Sequence, residues 1–364
     1  MRPTVVVICG GQSAERNVSL VSAQCVVAHL DPKQFRVRLI HVAVDRTWRE
    51  VAPRRLLAET AAALHGESAA RKRIQRGGRP INPWALLTGL SANDCVFPVL
   101  HGPMGEDGTL QGLLDLTGVA YVGCGVLGSA AGMDKDATKR IAAQAGIPQV
   151  KWAVARNAGE ASAAARRLGF PVFIKPARMG SSVGVAKVGR ASEVGAAIKE
   201  ALRYDEKALI EQGVPAREIE VAVLGDPWAP AGDPLALKAS IVGEIAPNAE
   251  FYDYRAKYLD PNGARLIIPA PLPSRVAARV RALALASFRA LDLYGLARVD
   301  FFVHKTNGAV YFNEANTLPG FTPISMFPRL WRDSGVPTKR LVEILITLAR
   351  RRANAGRRLS SDLD

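Results

Sequence analysis

The chain has 364 residues, and its 48% hydrophobic and 22% charged residues exclude a disordered or collagen-like protein. At about 150 residues a domain, this length predicts two or three domains. Four cysteines without a CxxC pair argue against both a disulfide framework and a structural zinc site. No apolar run reaches the ~20 residues of a membrane span, and no signal segment is recognisable. We therefore expect a cytoplasmic protein without a membrane partner.

Positive charge is concentrated in two stretches, residues 46–80 and the segment after residue 339, and the formal net charge is +15. Neither stretch interleaves aromatic side chains with basic ones, as surfaces that stack nucleic-acid bases do. We therefore expect no nucleic-acid partner and a solvated basic surface that attracts anionic substrates. A basic protein that binds nucleic acid or another anion is the remote alternative.

Residues 1–124 have the alternating pattern of a βαβ domain. An apolar run closed by two glycines predicts a buried first strand, and the spacing of Val18, Val21 and Cys25 predicts a helix after it. Further strands are predicted over residues 36–44, 95–100 and 119–123, with a helix over 109–118. A basic insertion around residues 46–82 interrupts this domain, and its pattern indicates no particular structure.

The rest of the chain predicts two further units and a tail. Residues 125–211 predict a small α+β unit in which two strands flank the loop 176–182. Residues 212–350 are richer in strands, and residues 351–364 are a basic tail. Helices are predicted over residues 132–146, 192–204, 274–291 and 338–352. The predicted fold class is α/β, with α+β parts, in three α/β units.

Two glycine-rich motifs are candidates for phosphate binding. Gly123, Gly125 and Gly128 match the G-x-G-x-x-G dinucleotide fingerprint, but no acidic residue ends a strand ~20 residues later. A glycine-lined crossing between two domains is the preferred interpretation. The loop 175–185, KPARMGSSVGV, offers a strand-end lysine and small residues that let backbone N–H groups approach phosphate oxygens. It is not a Walker A loop, so it predicts a triphosphate held between β elements; an ordinary glycine-rich turn is the alternative.

The strongest constellation is a hairpin around an Asn-Gly turn, ARVDFFVHKTNGAVYFNEAN. Arg298 and Asp300 lie two residues apart, and so do Glu314 and Asn316, so each pair shares one face of its strand. Asp300 and Glu314 can pair directly only if the loop contains an odd number of residues. We therefore predict a three-residue turn with Gly308 in the left-handed conformation. Opposed carboxylates repel unless a cation lies between them, and oxygen ligands suit Mg²⁺ that bridges phosphates. A solvated charged face is the alternative.

Seven motifs run in order between Gly10 and Met326, within a stretch of resemblance from about Thr4 to about Ala349: GGQSAERNVSL, HGPMGEDGTLQG, YVGCGVLGSAAGMDK, KPARMGSSVGV, EFYDYRAKY, RVDFFV and NEANTLPGFTPISM. Together they resemble the D-alanine–D-alanine ligases of the ATP-grasp superfamily. The resemblance implies three subdomains, with ATP held between the central and C-terminal ones, and a homodimer. It implies that ATP phosphorylates one D-alanine and that the amine of a second D-alanine attacks this D-alanyl phosphate, for peptidoglycan precursor synthesis. Another ATP-grasp ligase, of the D-Ala-D-Ser or D-Ala-D-Lac type, is the alternative.

The resemblance implies how the first D-alanine is bound. Glu15 would contact its ammonium group, in a hydrogen-bonded triad with Ser181 and Tyr258. His101 would lie close to the same substrate. Glu15 follows the first predicted strand in a turn at the carboxyl end of the sheet, where side chains are exposed to ligands. By the same resemblance, the intact Tyr258 favours an amine over the hydroxyl of D-lactate as the second nucleophile, which fits D-alanine and leaves D-serine open.

The resemblance also assigns roles at the reaction centre. Arg298 and the backbone N–H of Gly320 would stabilise the transferring phosphoryl group and the tetrahedral oxyanion. Ser325 and Met326 occupy the positions that take the carboxylate of the second D-alanine.

ATP and two Mg²⁺ or Mn²⁺ ions are the implied cofactors. The implied nucleotide-binding residues are Lys135, Lys175, Ser181, Ser182, Glu211, Glu218 and Lys257. The lysines would bind phosphates, whereas Glu211 and Glu218 would bind the adenine amino group and the ribose hydroxyls. The implied metal ligands are Asp300, Glu314 and Asn316.

Overall fold

The computed structural model describes residues 2–53, 77–247 and 264–358. These residues form three β-sheets that follow one another along the chain, with helices packed against them. Most of the basic insertion lies outside the described residues. The division of the chain at residues 124, 211 and 350 stays a prediction.

The first sheet has six strands in the order β4-β3-β2-β1-β5-β6. Its region contains β1 (Thr4–Gly10), α1 (Arg16–His29), β2 (Arg36–Val42), β3 (Trp48–Val51), β4 (Arg79–Pro80), α2 (Pro83–Thr88), β5 (Cys95–Pro98), α3 (Thr109–Thr117) and β6 (Ala120–Tyr121). Strands β2, β1, β5 and β6 are parallel, whereas β3 and β4 extend one edge as antiparallel strands. The sequence did not predict β3 and β4, because they are short, polar and only half covered.

Strand β1 is buried on both faces, as its continuous apolar run predicts. Val5 and Val7 pack in the same core as α1, whereas Val6 and Ile8 pack in the core that contains α3. The turn after Gly10 then leads into α1. Glu15, at the start of that helix, is thereby placed at the carboxyl edge of the parallel strands.

The second sheet is antiparallel, in the order β7-β10-β8-β9. Its region contains α4 (Val126–Met133), α5 (Lys135–Gln144), β7 (Trp152–Ala155), α6 (Ala158–Leu168), β8 (Val172–Pro176), β9 (Ala186–Val188), α7 (Val194–Ala201) and β10 (Ala208–Gln212). Helices α6 and α7 cover one face with small apolar side chains. The other face carries Lys175 and Glu211 and lies towards the third sheet, where Lys175 Nζ is 3.4 Å from Asn313 Oδ1.

The helix predicted over residues 132–146 is present as α5, but it begins only at Lys135, because the chain bends between α4 and α5. Asp134 lies at this bend, and its side chain accepts the N–H groups of Asp136 and Ala137. A side chain that caps a helix in this way favours a new helix start over continuation. The new start gives Lys135 the first position of α5.

The third sheet is also antiparallel, in the order β13-β12-β11-β14-β15. Its region contains β11 (Ala216–Gly225), β12 (Lys238–Pro247), β13 (Ala264–Ile267), α8 (Ser274–Ala290), β14 (Gly295–His304), β15 (Val310–Asn316), α9 (Met326–Asp333) and α10 (Thr338–Gly356). Helix α8 packs on one face, and α9 contacts β11 and β12 within a different core.

The hairpin of β14 and β15 has the predicted register at one end but not the predicted loop. Asp300 pairs with Glu314, as the sequence predicts. Towards the turn the register shifts by one, so that Val303 pairs with Val310 and the loop is one residue longer than predicted. Gly308 does have the predicted positive φ, at +68°. A bulge directly after Asp300, rather than a loop with an odd number of residues, therefore brings the two carboxylates opposite each other.

The first sheet and the C-terminal helices share one hydrophobic core. The rings of Phe97 and Phe321 meet edge to face, with their centroids 5.9 Å apart. Close packing also occurs at Gly128 in α4, where a Cβ would lie 2.6 Å from the carbonyl oxygen of Asp292. This contact supports the interpretation of the glycine motif as a close crossing between two domains rather than as a dinucleotide-binding fingerprint. The shared core holds the turn that carries Glu15 against the third sheet.

Helix α10 continues to Gly356, beyond residue 351 where the basic tail was expected to begin. Arg352 donates to the carbonyl oxygens of Gly123 and Tyr121 at 2.6 and 3.1 Å, and its guanidinium lies 4.2 Å from the centroid of the Tyr121 ring. Arg351 lies 2.7 Å from Asp233. These arginines thus bind their own chain. Within the described ranges, no helix is long and apolar enough to cross a membrane.

We expect His41 to make the protein less stable below pH 6.5. Its side chain is buried beneath the turn at Gly10, and among the described residues its Nδ1 has no hydrogen-bond partner. Burial and the charge of Arg49 lower the pKa of His41 to about 4, and Asp45 opposes them only weakly. The unfolded chain binds this proton near pH 6.5, so the stabilisation is complete above that pH and is lost as the pH falls towards 4.

Between pH 7 and pH 5 this effect amounts to about 2 kcal/mol of unfolding free energy. The variant His41→Gln, which does not titrate, should lose correspondingly less over the same range. Urea unfolding of both proteins at the two pH values measures the difference. An identical pH dependence in the two proteins would contradict the assignment to His41.

Candidate active site

Glu15 and the glycine-rich loop of the second sheet meet directly. The Ser181 hydroxyl donates a hydrogen bond to Glu15 Oε1. Ser181 and Ser182 both have positive φ, at 52° and 58°, a conformation that side-chain-bearing residues rarely adopt. A Cβ at Gly102 or Gly180 would lie 3.2 or 3.3 Å from Glu15 Oε2, so both glycines leave room for the carboxylate. Two members of the predicted triad are therefore in contact.

His101 is buried, and both of its ring nitrogens are bonded within the protein. Nδ1 lies 3.0 Å from the carbonyl oxygen of Leu318, to which it must donate. Nε2 lies 3.0 Å from the hydroxyl of Ser22, which also accepts the N–H of Phe321. Burial lowers the pKa of His101, although the charge of Glu15 opposes this shift. The neutral imidazole thus ties the loop after β15 to the first sheet, a role that the sequence did not indicate for Ser22.

Lys135 connects the glycine-rich loop to the third sheet. Its Nζ donates to the carbonyl oxygen of Met179 at 2.7 Å and lies 3.5 Å from Glu314 Oε2. A predicted phosphate lysine therefore faces a predicted metal ligand across the cleft between the second and third sheets.

Glu211, to which the resemblance assigns the adenine amino group, lies between two lysines. Lys175 Nζ is 2.7 Å from Glu211 Oε2, and Lys139 Nζ is 2.8 Å from Oε1. Burial would raise the pKa of Glu211, but the two lysines lower it to about 2. Glu218, on β11, is close enough for its charge to help raise the pKa of Lys175 against the effect of burial. Sequence reasoning missed Lys139, although it follows Lys135 by four residues and so lies on the same face of α5.

Arg298 is held by carboxylates on two neighbouring strands. Its Nε and Nη2 donate to the two oxygens of Asp300 at 2.8 and 2.7 Å, and Nε lies 3.1 Å from Glu220 Oε2. Asn316 Nδ2 donates to Asp300 Oδ2 at 2.9 Å. Burial opposes the charge of Arg298, but Asp300 and Glu220 raise its pKa well above the ordinary value. The structure thus brings together the predicted reaction-centre arginine and two predicted metal ligands.

Gly320, Ser325 and Met326 lie together at the start of α9. A Cβ at Gly320 would lie 2.8 Å from Ser325 Oγ. The Thr322 N–H donates to the same oxygen at 3.1 Å. The Met326 side chain is buried in the core, so this residue can offer only its main-chain N–H to a carboxylate. Free N–H groups at a helix start do favour an anion.

Glu106 is a site residue that sequence reasoning missed. The Gly102 N–H donates to its Oε1 at 2.8 Å, and the Thr317 hydroxyl donates to its carbonyl oxygen at 3.3 Å. Burial and the nearby charge of Glu15 raise the pKa of Glu106 to about 8, although Lys135 and others oppose this. The motif HGPMGEDG contains Glu106, but no spacing rule assigns it a role.

The donor set of Asp300, Glu314 and Asn316 fits Mg²⁺ or Mn²⁺, because all three offer oxygen atoms from one face of paired strands. Over residues 2–53, 77–247 and 264–358, no three His, Cys, Asp or Glu side chains are grouped as a metal site. The metal ligands therefore stay a prediction. Lys257 and Tyr258 lie outside the described residues.

Two family models match most of the chain: "D-ala D-ala ligase N-terminus" over residues 4–124 and "D-ala D-ala ligase C-terminus" over residues 141–347. The chain belongs to the D-alanine–D-alanine ligase family. D-alanine–D-alanine ligase A of Bradyrhizobium diazoefficiens is 48% identical over 363 residues, which cover 95% of this chain and 94% of that protein. The D-alanine–D-alanine ligase of Heliobacterium modesticaldum is 42% identical, with 96% and 94% covered.

Solved structures of a D-alanine–D-alanine ligase and of a D-Ala:D-Ser ligase agree with this membership. The enzyme from Coxiella burnetii has a TM-score of 0.82 and 35% identity, and the match covers 98% of this chain and 96% of that one. The VanG D-Ala:D-Ser ligase from Enterococcus faecalis has a TM-score of 0.78 and 32% identity, with 96% and 100% covered. The predicted ATP-grasp fold is confirmed, as is the prediction of an ATP-dependent D-alanine–D-alanine ligase.

Proposed function

We propose that this ligase forms D-alanyl phosphate beside the Asp300–Glu314 pair and then transfers the D-alanyl group to a second D-alanine. The supporting observation is one line of contacts across the cleft. Lys135 bonds the loop that carries Ser181, and Ser181 in turn bonds Glu15. The same lysine faces Glu314, which pairs with Asp300 on the next strand. These contacts support an ammonium site at Glu15 and a phosphate site at Lys135, with the first D-alanine between them.

In the proposed first step, Glu15 binds the ammonium group of the first D-alanine, while Lys135 and Lys175 hold ATP phosphates. A carboxylate oxygen of that D-alanine attacks the γ-phosphorus, and the bond to ADP breaks. Asp300 and Glu314, with Asn316, would hold Mg²⁺ or Mn²⁺ ions, which when bound offset the charge on the transferring phosphoryl group.

In the proposed second step, the amine of the second D-alanine attacks the acyl carbon of D-alanyl phosphate. Arg298 and the Gly320 N–H would stabilise the resulting oxyanion by charge and hydrogen bonding. The C–O bond to phosphate then breaks, and the nitrogen loses its extra proton. Ser325 and the main-chain N–H of Met326 would orient the second substrate by its carboxylate.

The test is phosphate release from the purified protein with Mg-ATP and D-alanine, L-alanine or no amino acid. We expect release with D-alanine only, together with D-alanyl-D-alanine by mass spectrometry. Release without dependence on D-alanine would overturn the proposal. Adding D-serine in competition tests the alternative that the VanG likeness raises, and adding D-lactate tests the ester-forming alternative. Tyr258 favours D-alanine over D-lactate but does not distinguish it from D-serine, which also attacks through an amine.

We expect Glu15→Gln to weaken binding of the first D-alanine while leaving ATP binding intact. Glutamine keeps an acceptor for the Ser181 hydroxyl but loses the charge that would pair with the substrate ammonium. Loss of such a buried charge pair costs about 2 kcal/mol or more, so the KM for D-alanine should rise roughly 30-fold. Glu50→Gln, which changes a carboxylate paired with Arg38 in the first sheet, is the control. A rise in the KM for ATP alone would contradict the assignment.

We also propose a homodimer and a cytoplasmic location. Leu116 on α3 and Leu127 on α4 are 78% and 63% exposed on neighbouring helices of the N-terminal part, where a second copy could cover them. A role in peptidoglycan precursor synthesis, which follows from the family, supports the cytoplasmic location.

A further inference from the structure

Lys139, Glu211 and Lys175 form a buried ion triad beneath the proposed nucleotide site. The Lys139 side chain is 0% exposed, and that of Glu211 is 5% exposed. Each oxygen of the Glu211 carboxylate contacts a different lysine, at 2.8 Å for Lys139 and 2.7 Å for Lys175. The three side chains come from α5, β10 and β8, so the triad joins three elements of the second sheet region.

The two lysines are not equivalent. The Lys175 side chain is 9% exposed, and its Nζ lies 3.4 Å from Asn313 Oδ1 on β15, so it faces the third sheet and the cleft. Lys139 is enclosed behind the carboxylate, and its carbonyl oxygen accepts the Gln149 side chain at 2.8 Å. Only Lys175 can therefore turn towards a phosphate in the cleft, whereas Lys139 has to remain where it is.

The charges of the triad explain why two lysines are present. When Lys175 contacts a phosphate, its hold on Glu211 weakens. Without a second cation, Glu211 would then be a buried carboxylate with no counter-ion, which is strongly unfavourable. Lys139 is a counter-ion that stays in place through this change.

We propose that Lys139 is a positioning residue for ATP binding: it keeps the Glu211 carboxylate paired, so that Lys175 is released to the phosphates of the nucleotide. This inference rests on the proposed role of Lys175 in the preceding section. Without Lys139, the carboxylate would hold Lys175 alone, and ATP would have to break that pair in order to bind.

The test is a set of five variants, compared by steady-state kinetics and by calorimetry of ADP binding. We expect Lys139→Met to raise the KM for ATP at least tenfold and to weaken ADP binding similarly, with the KM for D-alanine unchanged. In the double variant Lys139→Met/Glu211→Gln, the carboxylate that holds Lys175 is absent. Its KM for ATP should therefore return to within threefold of that of Glu211→Gln alone.

The control is Lys207→Met, since Lys207 also bridges two carboxylates at the start of α5, Asp134 and Asp136, without touching Glu211. We expect less than a threefold change in the KM for ATP. A KM for ATP within twofold of wild type in Lys139→Met would overturn the inference. So would a double variant as poor as Lys139→Met when Glu211→Gln alone has a lower KM for ATP, because a merely structural lysine cannot be rescued by removing a further partner.

Two outcomes separate this inference from the proposed function. If Lys175→Met leaves the KM for ATP unchanged, the proposed phosphate site is wrong and the inference falls with it. If Lys175→Met raises the KM and Lys139→Met does not, only the inference is overturned. Should Lys139→Met fail to fold, the double variant, which contains no unpaired carboxylate, should fold and still match Glu211→Gln.

Discussion

Replacing Glu314 by glutamine should reduce D-alanine-dependent phosphate release by about 10³-fold, which corresponds to about 4 kcal/mol of transition-state stabilisation. Glu314 pairs directly with Asp300, and its Oε2 lies 3.5 Å from Lys135 Nζ. Glutamine has nearly the same shape, so the hairpin should remain folded. It lacks the negative charge that a bound Mg²⁺ or Mn²⁺ needs. We expect the remaining turnover to require more Mg²⁺ than the wild-type protein does.

The matched control is Glu244→Gln, which removes a carboxylate from the same sheet, where Glu244 lies on β12, separated from the hairpin by β11, and pairs with Arg217. This variant should keep its turnover within a few-fold of wild type. Phosphate release at several Mg²⁺ concentrations and thermal unfolding of both variants provide the comparison. Turnover of Glu314→Gln within tenfold of wild type would show that the metal ligands have been misassigned.

Replacing Arg298 by lysine should lower kcat by about 10²- to 10³-fold and change the KM for ATP little. The guanidinium contacts both oxygens of Asp300 through Nε and Nη2, and it also lies 3.1 Å from Glu220. Lysine keeps the positive charge but lacks the planar guanidinium with its several N–H donors. It therefore cannot contact Asp300 and donate a hydrogen bond to the reacting group at the same time.

Arg217→Lys is the control for this change. Arg217 makes the same two-pronged contact with Glu244, at 2.8 and 2.6 Å, on the same sheet. Any general effect of replacing a paired arginine by lysine should therefore appear in both variants. Equal losses of kcat in the two variants would mean that the effect comes from the sheet and not from the reaction centre.

Much of the architecture could be read from local pattern. The continuous apolar run of β1 requires burial on both faces, and the glycines after it end the strand, which places Glu15 at a sheet edge. The two-residue spacing of Arg298 and Asp300 puts both on one face of β14 wherever that strand lies. Register was predicted correctly at Asp300, although the bulge that produces it was not, since a bulge has no reliable sequence signal.

Other features depend on contacts between distant residues. Ser22 accepts the N–H of Phe321, a residue 299 positions later, while it bonds His101. Nothing in the local sequence of Ser22 or Phe321 indicates this contact. The same holds for Glu106, whose pKa is raised because folding buries it near Glu15.

The order of strands and helices, the exposed edge that carries Glu15 and the shared face of Arg298 and Asp300 follow from the chain alone, because side-chain periodicity and glycine placement are local properties. The partners of these residues do not. In the sequence, Glu211 is a single acidic residue near the end of a strand. In the structure, its carboxylate is paired with Lys139, from a helix, and with Lys175, from another strand. Packing three sheets together decides which charges are buried side by side, and burial determines how strongly each one acts on its neighbours.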